Sequence, residues 1–190
     1  MVKNPAIFFD RDGVLTQNVF YKKYNNYEAP LKPKDLKYKK HLKILNHLSK
    51  KYFLFIITNQ PAAAKKKTSV KNLKLINNLF LNKLKQKKID IKELLVCYND
   101  YSSQKNLCKK LYYCKKKKNN ICRKPSNKLI NYCIKKYNVD VKKSYFIGDR
   151  KSDYIASKKS KLKFIYLIDK ENLKIDYIKK INNLKELIIL

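Results

Sequence analysis

Asp10-Arg11-Asp12-Gly13 sets two carboxylates two residues apart, directly after an apolar run over 6–9. At the end of a buried strand such a pair can divide its work. Asp10 points into a crevice as a nucleophile, while Asp12 reaches a leaving oxygen as general acid and then activates water as base. Gly13 lets the backbone turn and approach closely. Asp149 follows a second apolar segment through Gly148, and Asp153 stands one helical turn beyond it. Acids gathered in this way repel one another without a cation. Magnesium suits them, because it takes a few carboxylates, waters and phosphate oxygens. Thr58 offers a hydroxyl to a phosphoryl oxygen, and Asn59 adds an amide donor and acceptor. Lys124 can neutralise phosphoryl charge, and Arg123 can grip a second anionic group through its fork. Taken singly, these are also the marks of a surface turn, a strand-to-loop turn or a helix N-terminal acid.

The elements around these residues decide whether they meet. Short apolar segments over 6–9, 52–57, 93–98, 144–147 and 163–168 read as five strands. Apolar residues at helical spacing predict helices over 36–48 (Leu42, Leu45, Leu48), 70–84 (Leu73, Ile76, Phe80, Leu84) and 126–137 (Leu129, Ile130, Cys133, Ile134). A short helix over 153–158 and a helical tail over 177–190 complete the pattern, with loops over 16–33 and 99–120. Alternating strand and helix implies an α/β fold of Rossmann-like type, a three-layer sandwich with a parallel sheet covered on both faces. Ligands of such sheets sit beyond the carboxyl ends of the strands. Asp10-Arg11-Asp12, Thr58-Asn59-Gln60 and Gly148-Asp149 all fall there. A single domain over 1–190 is expected, its motif-bearing core spanning roughly 5–169 and carrying a Lys- and Cys-rich loop over 97–122.

Composition narrows the class. The apolar share of 44% argues against global disorder. No segment near the start reads as a signal peptide and no apolar stretch is long enough for a membrane span, so a soluble, cytoplasmic and monomeric protein is expected. The net charge of +33 suggests nucleic acid at first sight. It is almost entirely lysine, however, in a chain rich in Lys, Asn, Ile and Tyr, which fits A/T-rich coding spread over a solvated surface. Nucleic-acid binding is the lesser reading, although the positive surface still draws anionic substrates. Against this bias the chain keeps only two glycines, Gly13 and Gly148, and three arginines, Arg11, Arg123 and Arg150. All five lie in or beside the acidic and basic segments singled out above, which marks positions where replacement is not tolerated.

In order along the chain, Asp10-Arg11-Asp12-Gly13-Val14-Leu15, Thr58-Asn59-Gln60, Arg123-Lys124-Pro125 and Gly148-Asp149 with Asp153 resemble the four motifs of the haloacid dehalogenase (HAD) superfamily. Cys122 before Arg123-Lys124-Pro125, and the Glu28-Ala29-Pro30 loop, make the chain most similar to its heptose bisphosphate and histidinol phosphate phosphatases. The resemblance implies a phosphomonoester hydrolase without a large cap domain, working through an aspartyl-phosphate on Asp10 with Asp12 as acid and base. It implies magnesium on Asp10, the Asp12 backbone carbonyl and Asp149, a phosphoryl group held by Thr58 and Lys124, and Asn59 and Arg123 on phosphate or substrate. The substrate it implies is a small phosphorylated sugar, D-glycero-D-manno-heptose 1,7-bisphosphate first. Histidinol phosphate and a polynucleotide 3′-phosphate remain the alternatives. Such proteins often hold a structural zinc on a Cys-x-His and Cys-x-Cys loop. Here Cys97 and Cys122 match its outer positions, Asn99 and Asn120 replace a His and a Cys, and Cys108 and Cys114 are the remaining thiols available for zinc.

Overall fold

Ala6, Ile7, Phe8 and Phe9 are all fully buried, which requires cover on both faces of the strand they form, β1 (Ala6–Phe9). The computed structural model describes residues 3–101, 107–108, 122–168 and 174–190. After β1 come β2 (Val19–Tyr21), β3 (Asn26–Glu28), α1 (Ile44–Leu48), β4 (Phe53–Asn59), α2 (Val70–Gln86) and β5 (Glu93–Cys97). Then follow α3 (Lys128–Lys136), β6 (Tyr145–Gly148), α4 (Lys151–Lys159), β7 (Lys163–Leu167) and β8 (Lys179–Ile181). Six strands join in the order β5-β4-β1-β6-β7-β8, every pair parallel. β2 and β3 form a separate antiparallel hairpin inside the segment expected to be a loop.

Alternation along the central strands sorts the core into two layers. Phe8, Phe55, Ile57 and Phe146 pack with Leu129, Ile130 and Cys133 of α3 and Ala156 of α4. Ile7, Phe9, Leu54, Ile56 and Ile147 face the other way, toward Leu45 and Leu48 of α1 and toward Leu184 and Leu187. Helix α2 serves both layers, giving Leu73 and Ile76 to the first and Phe80 and Leu84 to the second. The architecture is the expected three-layer α/β sandwich. The register aligns Phe9 with Ile56 on one side and Ile147 on the other. Asp10, Thr58 and Asp149 therefore emerge at one edge, where the strand order reverses direction about β1.

Two expectations need correction. The helix expected over 36–48 is only Ile44–Leu48. Residues 37–39 instead pair with 15–17, through Gln17 N–H to the Lys37 carbonyl at 2.9 Å and Lys39 N–H to the Leu15 carbonyl at 3.0 Å. His41, at φ 64, then breaks any continuous helix. The tail over 177–190 is no α-helix. It supplies the edge strand β8 and a 3-10 stretch over Leu184–Ile189. Asn183 and Glu186 cap that stretch reciprocally. Leu184 and Leu187, three residues apart, share a face at 3-10 as well as at α spacing, so the pattern alone could not separate the two.

Phe8 and Phe55 stack across β1 and β4 at 4.9 Å, beneath the edge that carries Asp10. Phe55→Ala should lower the unfolding free energy by about 3–5 kcal/mol through the cavity it leaves. The urea midpoint measures this, with the slope of the transition unchanged.

Candidate active site

Four carboxylates, Asp10, Asp12, Asp149 and Asp153, are buried together at the carboxyl edge of β1 and β6, with two buried cations, Lys124 and Arg11. Lys124 Nζ stands 2.9 Å from Asp10 Oδ1 and 2.7 Å from Asp153 Oδ1, and donates to the Ile57 carbonyl at 2.8 Å. Burial alone would lower the Lys124 ammonium, but the charges of Asp10 and Asp153 hold it above its ordinary pKa. Burial pushes the Asp149 carboxyl up to about 8, reinforced by Asp10 and Asp153. Burial likewise lifts Asp10 to about 6, against the pull of Lys124. Asp153 also caps α4, accepting from the Arg150 N–H at 3.1 Å. It is thus both the helix N-terminal acid and a member of the site.

The two glycines make this crowding possible. Gly13 sits at φ +97, and a Cβ there would lie 2.2 Å from Asp149 Oδ2. A Cβ on Gly148 would lie 2.4 Å from Cβ of Asp153. Neither position has room for alanine without displacing a carboxylate.

Asp12 is held by a partner that the sequence reading did not assign. Arg11, fully buried, donates from Nε to Asp12 Oδ1 at 2.9 Å and from Nη2 to both Asp12 oxygens at 2.8 Å. The Thr16 hydroxyl donates to Asp12 Oδ1 at 2.9 Å and the Thr58 hydroxyl to Oδ2 at 3.3 Å. Thr58, expected on a phosphoryl oxygen, is therefore engaged with Asp12. Asn59 exchanges two hydrogen bonds with the backbone of Lys124: Lys124 N–H to Oδ1 at 3.0 Å, and Nδ2 to the Lys124 carbonyl at 3.1 Å. Its amide fixes the lysine in place while its side chain also lines the cleft.

That cleft, of about 380 Å³, opens over Asp10 and Asp12 and is bordered by Tyr27 and Glu28 of the hairpin, Arg123, Lys124 and Arg150. Arg123 approaches Asp100 at 3.8 Å, and its Nη1 is buried without a hydrogen-bond acceptor among the described residues. His41 and His47 line a separate cleft beside α1, so the site contains no histidine among the described residues. Beyond β5, the sulfurs of Cys97, Cys108 and Cys122 come within 4.8 Å of one another. Asn99 Oδ1 accepts from the Cys108 N–H at 3.2 Å. Cys114, expected as a further ligand, lies outside the described residues, and Cys133 is in the core.

The donor set fits a divalent cation. Oxygens of Asp10, Asp149 and Asp153 lie within 4.8 Å of one another. Asp149 Oδ1 is buried with no hydrogen-bond partner among the described residues. Among the described residues the four carboxylates outnumber the cations set against them, Lys124, Arg11 and Arg150, and a hard dication bound by oxygen would offset that excess. Among the described residues no helix is long and apolar enough to cross a membrane.

Known proteins share this arrangement of sequence and fold. The family model described as polynucleotide kinase 3 phosphatase matches residues 5–177. A D-glycero-alpha-D-manno-heptose-1,7-bisphosphate 7-phosphatase of Photorhabdus laumondii is 32% identical over 172 residues, covering 87% of this chain and 83% of its own. The histidine biosynthesis bifunctional protein HisB of Buchnera aphidicola (subspecies Schizaphis graminum) is 27% identical over 95% of this chain, which spans 46% of that protein. Among solved structures, the D,D-heptose 1.7-bisphosphate phosphatase from B. bronchiseptica, complexed with magnesium and phosphate, superimposes with a TM-score of 0.75 at 16% identity, covering 97% and 96% of the two chains. The protein is an enzyme of the phosphatase class, and it belongs to the polynucleotide kinase 3 phosphatase family of HAD-like phosphatases.

Proposed function

We propose that the protein is a magnesium-dependent phosphomonoester hydrolase that removes one phosphate from D-glycero-D-manno-heptose 1,7-bisphosphate. The observation that carries this reading is the buried cluster of Asp10, Asp149 and Asp153 around Lys124, opening into a cleft bordered by Arg123 and Arg150. The name of the relative from Photorhabdus laumondii supports the sugar. Magnesium, held by Asp10, Asp149 and the Asp12 backbone carbonyl with Asp153 behind them, would screen the charge between nucleophile and phosphate.

In the first step Asp10 attacks phosphorus, the bond to the leaving oxygen breaks, and Asp12 gives that oxygen its proton. Lys124, beside the attacking carboxylate, offsets charge on the transferring phosphoryl group. In the second step Asp12 takes a proton from water, which attacks the aspartyl-phosphate, releases phosphate and restores Asp10. Arg123, with one donor that has no acceptor among the described residues, suits the second phosphate of a bisphosphate. Zinc on Cys97, Cys108, Cys114 and Cys122 is a separate, structural expectation, of which Cys97, Cys108 and Cys122 lie among the described residues. The three thiols are a suitable soft donor set, one short of the four that closed zinc sites use.

A panel of heptose 1,7-bisphosphate (both anomers), histidinol phosphate and a 3′-phosphorylated oligonucleotide tests the substrate. The bisphosphate should give the highest kcat/KM, and a higher value for either alternative would replace it. The oligonucleotide belongs in the panel because of the family's description and the charge of +33. Asp10→Asn should be inactive on every substrate with its melting temperature retained; residual turnover would remove Asp10 as nucleophile. Arg123→Ala should cost roughly 10- to 100-fold in kcat/KM on the bisphosphate, the worth of a charge-assisted hydrogen bond, and far less on p-nitrophenyl phosphate.

The metal requirement has a pH signature. Asp10 and Asp149 have raised pKa values in the folded protein, so without metal the native state binds more protons than the unfolded chain between about pH 4 and 8. Their contribution to stability is present below the ordinary carboxylate pKa and is lost as pH rises through about 8. In EDTA the melting temperature should therefore fall from pH 5 to pH 8. Excess magnesium should raise it more at pH 8 than at pH 5, where protons compete for the same oxygens. An equal rise at both pH values would count against these carboxylates as the ligands.

A further inference from the structure

The face that α2 turns to the core reads Leu73, Ile76, Asn77, Phe80 and Leu84, and Asn77 is out of place there. A buried amide in a helix interior is tolerated only where its hydrogen bonds are made. Those of Asn77 lead to a single group. Its Oδ1 accepts from Arg11 Nη1, and its Nδ2 reaches the Tyr98 hydroxyl at 3.4 Å. Gln60 joins it. With its amide one way round it exchanges hydrogen bonds with Asn77, Nε2 to Oδ1 at 2.9 Å and Nδ2 to Oε1 at 3.1 Å; turned the other way, its oxygen instead accepts from Arg11 Nη2 at 2.8 Å. Asn77 from α2 and Gln60 from the end of β4 thus lie against a guanidinium with no exposure to solvent, and Tyr98 from the end of β5 backs Asn77. The Nε and Nη2 of that guanidinium grip both oxygens of Asp12.

Burying an arginine so completely is a poor route to stability, since an apolar group of the same volume commonly does as well. Lysine would carry the same charge but could not present two rigid donors to one carboxylate. What the arrangement supplies is direction. We propose that Arg11 is a positioning residue that aims the Asp12 carboxyl at the leaving oxygen, and that Asn77 and Gln60 hold Arg11 at the angle this requires. The inference rests on the phosphatase reading, in which Asp12 is the acid and base. It adds an inner layer of residues, none in contact with substrate, on which the proton transfer depends. A proton is delivered well only within hydrogen-bond reach, and a displacement of about 1 Å in such a group can cost about a hundredfold.

Leaving-group dependence separates aim from mere support. The measurement is kcat/KM on p-nitrophenyl phosphate, whose leaving group departs without a proton, and on phenyl phosphate, whose leaving group needs one. The proteins compared are the unaltered chain, Arg11→Lys, Asn77→Ala and Asp12→Asn, the last setting the pattern for a lost acid. Asn77→Ala removes the support behind the guanidinium while leaving every group that borders the cleft. It decides the matter if Arg11→Lys does not fold. Both Arg11→Lys and Asn77→Ala should lose at least about tenfold more on phenyl phosphate than on p-nitrophenyl phosphate, within the 10²- to 10⁴-fold that general acid catalysis supplies. Equal losses on the two esters, or no loss in Asn77→Ala, would overturn the role of Arg11 alone. Absence of turnover of both esters by the unaltered protein would overturn the phosphatase reading, and this inference with it.

Discussion

Burying four carboxylates at one sheet edge is the constraint on which the rest of the structure depends. Charges of one sign do not share a low-dielectric site unless opposite charge is fixed among them. Lys124 meets part of the demand from between Asp10 and Asp153, and Arg11 meets another part at Asp12. Each cation is in turn held in place. Asn59 ties down the Lys124 backbone, and Asn77 and Gln60 lie against the Arg11 fork. Asp149, which Arg150 approaches only to 3.8 Å, keeps a buried oxygen without a hydrogen-bond partner among the described residues. The same crowding explains the glycines, since at both positions a methyl group would occupy space that a carboxylate fills.

Much of this was legible in the sequence because the signals were of different kinds. Strand positions followed from apolar runs. Convergence of the motifs followed from the rule that parallel sheets collect ligands at their carboxyl ends. The survival of two glycines and three arginines in a chain otherwise depleted of both pointed to the same few segments. What stayed hidden was anything decided by tertiary contact. Pairing of 37–39 with 15–17 displaces a helix that spacing alone favours, and β8 is the edge strand, paired along β7. The hairpin β2–β3 lacks a strong alternating pattern and sits in a polar, aromatic segment.

The hydrogen-bond partners of Thr58 and Asn59 were hidden for a further reason. Sequence reasoning assigned each polar side chain to the substrate, whereas a buried polar group must first satisfy its own neighbours. Thr58 donates to Asp12 and Asn59 to the Lys124 carbonyl, so both are bonded within the cluster. Asn77 carried a readable signal that went unused: a polar residue on the apolar stripe of an amphipathic helix. Such an interruption marks either an internal network or a site, and here it belongs to the network behind Asp12.

The division between lysine and arginine is a consequence of the same chemistry. Where only positive charge is required, lysine serves, and the chain uses it over most of its surface. Of the three arginines, Arg11 alone uses its planar fork on a neighbour, and the other two stand at the cleft. Arg11 grips both oxygens of Asp12, Arg123 lies between Asp100 and the Tyr101 ring at the mouth of the cleft, and Arg150 faces Asp149 at 3.8 Å. The one lysine at the centre, Lys124, stands where a compact ammonium must reach two carboxylates and a carbonyl in different directions, a task for a point charge rather than a fork. A surface this positive draws anions from all sides without choosing among them. On the proposed reading, selection among phosphate esters would fall to the few donors at the cleft, Arg123, Lys124 and Arg150.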